Sequence, residues 1–353
     1  MSFEGKVIFE SLSLVVVFVV FEFGDFVVGL DRVFDVIRDR RARMVGFQFP
    51  GGLMRYAVPI SRLVKDLSRV EVLLSGSSCF GACDVDLRLL ASVDVLFHFA
   101  HAPMKSVKSI DSRVVFVEVS SNLPVLPVVK SAVGLFSGSV SRVGVVTTVQ
   151  HLHTLGEVCQ VLESSGFDPV VGVGDGCIAH PGQVLGCNFS AVAPDCDEYL
   201  FLGSGRFHPI GVAIARRERV VAADPYTGRA FVVDPEPFIR RRCGVVARAL
   251  DAESFGIIVS SKLGQERLGL ARELLGLVEK HGKRGVIMVV DVVRPDQFLG
   301  LGFDALVSTA CPRIALDDIE SFRVPVLTPV ELEIALGLRS WEDFRLDEIT
   351  CGR

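Results

Sequence analysis

The sequence predicts an α/β protein of three related units, each a four-stranded parallel sheet with flanking helices. Three observations predict it. Twelve short apolar runs fall into three sets of four. The first two runs of every set flank a helical stretch. The runs lack clean polar–apolar alternation, as strands do when a parallel sheet is covered on both faces.

The elements follow in chain order. Residues 11–21, SLSLVVVFVVF, are uncharged and very apolar. A membrane-crossing helix needs about 20 residues, so this run is too short. Glu4, Lys6 and Glu10 precede it, instead of the positive flank of a secretory leader, and no small-residue cleavage site follows. Its β-branched content predicts a strand packed on the body or on a partner subunit. Residues 31–41, DRVFDVIRDRR, predict a short helix with Val33, Phe34 and Ile37 on one face. The first set of runs is 44–49, 70–75, 93–100 and 114–119; the second is 143–148, 169–174, 199–205 and 219–224; the third is 255–261, 285–291, 304–310 and 324–328. Residues 55–69, 151–166 and 265–282 are the helical stretches between the first two runs of each set. In the last of these, Leu270, Leu274, Leu277 and Val278 make an amphipathic stripe. Strand–helix–strand links of this kind cross over right-handed in nearly all cases. Proline-bearing breaks near 121–131 and 233–243 divide the chain into 1–125 (with the N-terminal arm), 126–240 and 241–353.

Bulk properties narrow the function. The net charge of −5 and pI near 5.9 argue against a general nucleic-acid binder. Nine cysteines in 353 residues are not a secreted disulfide scaffold, and an odd count leaves one unpaired. A reducing cytoplasm is the expected setting, with some thiols on metal and others buried.

The cysteines then sort by surroundings. Cys159 lies on the apolar face of its helix and reads as core. Cys243 and Cys351 have no partner at metal spacing. Cys79 and Cys83 form C-x3-C, half a zinc site whose nearest histidines are His98 and His101. The gaps between Cys177, Cys187 and Cys196 match no zinc or ferredoxin pattern. Cys83, Cys187 and Cys311 fall one to each unit, each after a small residue (Ala82, Gly186, Ala310). Cys311 also ends a buried strand, where open α/β sheets place ligands. Three thiolates meeting on one iron–sulfur cluster is one reading of this pattern; buried structural cysteines is the other.

Longer motifs point to a family. GACDVD (81–86), TTVQHLH (147–153), GQVLGCNF (182–189), FLGSGRFHPIGVAIA (201–215), ADPY (223–226), ALVSTACPRIALDD (305–318) and PVLTPVELEIALG (325–337) together resemble the archaeal diphthamide synthase subunit, 2-(3-amino-3-carboxypropyl)histidine synthase. The matches run in order from about residue 31 to 337. Gly51, Ser77 and Phe80 depart from the family pattern, which often has an acidic residue, an Asp and a Tyr at these places. The resemblance implies a [4Fe–4S] cluster on Cys83, Cys187 and Cys311, with S-adenosylmethionine as substrate. It implies transfer of the 3-amino-3-carboxypropyl group to a histidine of elongation factor 2, by radical chemistry outside the CxxxCxxC group, in a homodimer. No motif names the electron donor.

Other polar residues are substrate-contact candidates. Gly203, Gly205 and Arg206 follow a strand, where free N–H groups and a guanidinium suit a carboxylate; a plain tight turn is the competing reading. Gln150 and His208 either touch substrate or fill polar niches. Asp224 and Arg313 (with Asp317) either build the rim or serve as caps and ion pairs. Three alternatives stand beside the transferase: a quinolinate synthase-like [4Fe–4S] enzyme, a non-catalytic partner subunit, and a zinc-stabilised binding protein. Silent partner subunits often lack one cluster cysteine; all three are present here.

Overall fold

The computed structural model describes residues 6–12, 16–104, 107, 111–317 and 321–351. The arm forms β1 (Lys6–Leu12), β2 (Val16–Phe23) and β3 (Phe26–Gly29), an antiparallel meander closed by β8 (Ser120–Ser121). Val19, Phe21, Phe23 and Val28 sink into the first unit's core, so this part of the arm packs on the body. Residues 13–15 of the expected arm strand lie outside the described residues.

Three further sheets follow. The first holds β4 (Met44–Gln48), β5 (Glu71–Leu74), β6 (Val95–Phe99) and β7 (Val114–Val117). The second holds β9 (Arg142–Thr147), β10 (Asp168–Val170), β11 (Glu198–Leu202), β12 (Val220–Asp224) and β13 (Arg229–Val232). The third holds β14 (Ser254–Ser260), β15 (Arg284–Val290), β16 (Ala305–Ser308) and β17 (Val326–Leu327). Their orders are β5-β4-β6-β7, β10-β9-β11-β12-β13 and β15-β14-β16-β17. In each, the second strand lies outside the first and the third lies inside it, and these four strands are parallel. The chain therefore reverses its direction of growth between first and third strands, the place where such sheets bind ligands.

All twelve expected runs contain a strand. The second unit departs from the four-stranded expectation, because β13 adds antiparallel to β12. Four residues, RAFV, after a turn are too short a signal to read. The helices Ala57–Ser68, Leu155–Ser164 and Leu268–Lys280 link first to second strands and bury Ile60 and Val64, Val158 and Leu162, and Leu274 and Val278. The stretches 121–131 and 233–243, read as breaks, run into the helices Leu126–Val133 and Glu236–Ala249. Each has proline in its first turn, where the missing N–H costs no helical bond.

One device recurs in every unit. An aspartate just before the third strand accepts two backbone N–H groups at the start of the first. Asp94 Oδ2 takes Arg43 and Met44 at 2.8 and 2.9 Å. Asp197 Oδ2 takes Ser141 and Arg142 at 2.9 and 2.8 Å. Asp304 Oδ2 takes Glu253 and Ser254 at 3.0 and 2.8 Å. Each fixes the register of the two central strands.

Candidate metal centre between the three units

The site begins with the loops at the C-terminal ends of the strands. Cys83 lies between β5 and the helix Leu87–Leu90, Cys187 lies between β10 and β11, and Cys311 directly follows β16. Two ligand candidates thus come from second-to-third-strand connections and one from the end of a third strand. The units repeat in topology, but the cysteines do not occupy equivalent places.

The three thiols lie close enough to sense one another's charge. Burial pushes Cys83 up to about 11, its hydrogen bond from Gln265 opposes this, and Cys311 adds to it. Cys187 is raised well above the ordinary thiol value by burial, then by Cys311 and Cys83. Cys311 is also raised, chiefly by burial. Sulfurs that repel one another's charge in a largely buried setting are the donor set a soft cation or an iron–sulfur group relieves.

Neighbouring residues shape this cleft. Gln265 Nε2 donates to Cys83 Sγ at 3.1 Å, and Gly264 N–H donates to the Cys83 carbonyl at 3.2 Å. A Cβ on Gly264 would sit 2.4 Å from the Cβ of Cys83, so only glycine lets the third unit approach the first this closely. Likewise a Cβ on Gly186 would lie 2.8 Å from Cδ of Arg313. Ala310 is fully buried. Small residues beside the cysteines are thus required for packing between units.

The C-terminal segment ties the loops together. Ile349 N–H donates to the Cys187 carbonyl at 2.8 Å. Arg267 donates to Thr309 O at 2.7 Å and Ala310 O at 3.0 Å, just before Cys311, and pairs with Asp347 at 2.9 Å. Cys351 forms a disulfide with Cys177 across 174 positions. This corrects the reading of Cys351 as a thiol without a partner and takes Cys177 out of the trio with Cys187 and Cys196: spacing rules see only neighbours, and this pair is distant in sequence.

The remaining candidates separate into three cavities. A cavity of about 310 Å³ beside Cys311 is lined by Lys262, Gln265, Asp291, Arg313 and Asp317. Arg313 Nε pairs with Asp317 at 2.6 Å, and its guanidinium lies 4.3 Å from the Phe207 ring centre. Lys262 pairs with Asp84 across the unit boundary. A second cavity, about 410 Å³, lies between the first and second units and holds Gln150, His151, Ser204, His208 and His101. Gln150 Nε2 donates to Ala100 O at 3.2 Å. His208 stacks on Phe201, and burial, then Arg313, lowers it to about 4, so it is neutral at physiological pH. His151 is buried, and its Nδ1 has no protein partner. Gly205, Arg206 and Asp224 line a third cavity on the second unit. Gly203 and Gly205 have φ of +148° and +80°, which builds the turn after β11. Asp224 Oδ1 accepts from Tyr226 N–H at 2.9 Å, so it caps a turn. The seven residues fall in different places, and among these cavities Arg313 is the one that shares a lining with a candidate ligand cysteine, Cys311.

Comparison with known proteins now decides the family. The diphthamide synthesis protein model matches residues 49–345. The chain belongs to the diphthamide synthesis family. The 2-(3-amino-3-carboxypropyl)histidine synthase of Pyrococcus horikoshii is 42% identical over 313 residues, covering 88% of this chain and 90% of the relative. That of Methanocaldococcus jannaschii is 26% identical, covering 86% of each. A crystal structure of Dph2 from Pyrococcus horikoshii with a 4Fe-4S cluster superposes with a TM-score of 0.85 at 39% identity, covering 92% of this chain and 94% of that one. In this diphthamide-family chain, sequence reasoning missed Gln265, Lys262 and Arg267. The run from Gln265 reads as helix, but the helix begins only at Leu268, which frees Gln265 to reach the Cys83 sulfur and Arg267 to reach the carbonyls before Cys311.

Proposed function

We propose that this chain transfers the 3-amino-3-carboxypropyl group of S-adenosylmethionine to a histidine of elongation factor 2, the first step of diphthamide formation, by radical chemistry. The observation that carries the reading is that Cys83, Cys187 and Cys311, one from each unit, lie within reach of one another's charge in a largely buried cleft. The names of the relatives and the cluster in the Pyrococcus structure's title support it. Three thiolates fit a [4Fe–4S] cluster, which supplies a single electron and one iron left open to substrate.

The chain's own residues bind, orient and keep out water. Lys262 and Arg313 offer cations beside Cys311 for the substrate carboxylate, and Asp291 offers an anion for its ammonium. Gln265 holds the Cys83 sulfur in place. Holding the substrate so that one sulfonium–carbon bond is in line selects which bond breaks. We assign Gln150 and His208 to substrate contact in the neighbouring cavity, and Gly203, Gly205, Arg206 and Asp224 to the rim. We read 1–125, 126–240 and 241–353 as the three α/β units of this arrangement, and a homodimer as the working form. Among the described residues no helix is long and apolar enough to cross a membrane.

The test is anaerobic. Iron-replete protein, reduced with dithionite in place of the unknown electron donor, is mixed with S-adenosylmethionine and elongation factor 2. Methylthioadenosine should be released, and one histidine of the factor should gain the aminocarboxypropyl mass. No release from reduced, iron-replete protein sinks the proposal.

A further inference from the structure

A second cluster of metal-binding side chains lies in the first unit. Cys79 Sγ is 3.7 Å from His98 Nε2, which is 2.9 Å from His101 Nδ1. One ligand atom from each of the three residues lies within 4.8 Å of those of the other two. Cys79 comes from the loop after β5, His98 from β6, and His101 from the loop that follows β6. Cys79 and His98 are buried, and His101 is half-buried.

The surroundings set the chemistry of His98. Gln48 Nε2 donates to Asp84 O at 2.8 Å, and Gln48 Oε1 accepts Asp86 N–H at 3.1 Å. These two bonds fix which end of the amide is oxygen. Oε1 also lies 3.0 Å from His98 Nδ1, so Nδ1 must carry the hydrogen. The Nε2 lone pair therefore points at His101 and Cys79. Metal-ligating histidines are held in this way, by a partner on the other ring nitrogen.

We propose that Cys79, His98 and His101 form a second metal site, which takes zinc through one thiolate and two neutral imidazoles. Tetrahedral zinc, with bonds of about 2.3 Å to sulfur and about 2.0–2.1 Å to nitrogen, places S and N about 3.5 Å apart and N and N about 3.3 Å apart. The S–N separation of 3.7 Å already agrees, and the two imidazoles need to part by a few tenths of an ångström from 2.9 Å. Water fills the fourth place. Without metal, His101 Nδ1–H donates to His98 Nε2. Binding breaks that hydrogen bond, leaves the His101 proton on its Nε2 so that Nδ1 can ligate, and releases the thiol proton to solvent, so affinity rises with pH. Its donor set differs from that of the three converging cysteines: Cys79 senses the charge of Cys83, four residues on, but the Cys83 sulfur takes its hydrogen bond from Gln265.

The test uses iron-replete protein, so that Cys83, Cys187 and Cys311 are already occupied, in a Cys243→Ser background that removes the exposed thiol. Zinc is added, excess is removed, and zinc and iron are counted per chain beside zinc K-edge X-ray absorption. Wild type should keep about one zinc, with one sulfur and the rest nitrogen or oxygen around it. Cys79→Ala should lose the sulfur shell, and His101→Gln should bind zinc at least about 100-fold more weakly, both with iron content and thermal midpoint held. A sulfur shell that persists in Cys79→Ala, or wild type that keeps no more zinc than His101→Gln, overturns the site.

Discussion

Gln265 shows how one side chain can tune the centre without being a ligand. Its amide N–H groups point at the Cys83 sulfur, and a donor there favours the more electron-rich state of whatever that sulfur binds. Gln265→Leu should keep full iron but titrate at a more negative potential; an unchanged midpoint in a redox titration removes the role. At this scale the sequence is informative where a motif surrounds a residue. Cys83, Cys187 and Cys311 stand out because each needs a small neighbour, and the contacts at Gly186 and Gly264 show why. Gln265 is illegible because nothing local separates it from the helix it precedes. Arg206 and Asp224 look like anion-binding residues in sequence, yet Asp224 caps a turn and the Arg206 guanidinium lies 5.7 Å from the Phe231 ring centre. Local sequence cannot tell a gripping loop from a turn.

At the scale of elements, two devices hold the strands and helices in register. The first is the aspartate before each third strand. Asp94 is held below its ordinary value of 3.8 by backbone N–H groups of Met44 and Arg43, and Asp197 by those of Arg142 and Ser141. The Ser254 hydroxyl and the Glu253 N–H do the same for Asp304. A carboxylate whose folded value is depressed stabilises above its unfolded value and loses that contribution as pH falls through the folded one. Stability should therefore drop below about pH 4, and Asp304→Asn should flatten this acid limb in denaturant titrations across pH. An unaltered limb would falsify the staple. The second device is Arg242, fully buried with Glu331. Its Nε donates to Glu331 Oε1 at 2.7 Å, and one Nη donates to Val326 O at 3.0 Å, tying the helix Glu236–Ala249 to β17 and the helix Pro329–Ala335. Arg242→Ala leaves a buried carboxylate unpaired and should cost about 3–5 kcal/mol, while Arg242→Met with Glu331→Leu should recover most of it. Apolar runs made twelve strands legible. The staples were not, because an aspartate beside an apolar run looks like any strand-flanking polar residue until the first strand is placed next to it.

Across the whole molecule, three sheets of one strand order direct their C-terminal ends toward a shared centre, and the last residues lock it. The Cys177–Cys351 disulfide holds the segment whose Ile349 N–H binds the Cys187 loop. Cys351→Ser should cost about 2–5 kcal/mol in thermal unfolding and should speed iron loss from the loaded protein; equal midpoints and equal iron retention would show the tether to be idle. The repeat was legible at this scale because the period is carried by apolar runs. The disulfide was not, since its partners are 174 positions apart. The central claim is that three sulfurs, one from each unit, hold one group between them. Its most direct test is the iron and sulfide content of anaerobically reconstituted wild type beside Cys83→Ala, Cys187→Ala and Cys311→Ala. Wild type should carry about four of each per chain, and every single variant should lose most of both; a variant that keeps the wild-type count contradicts the shared centre.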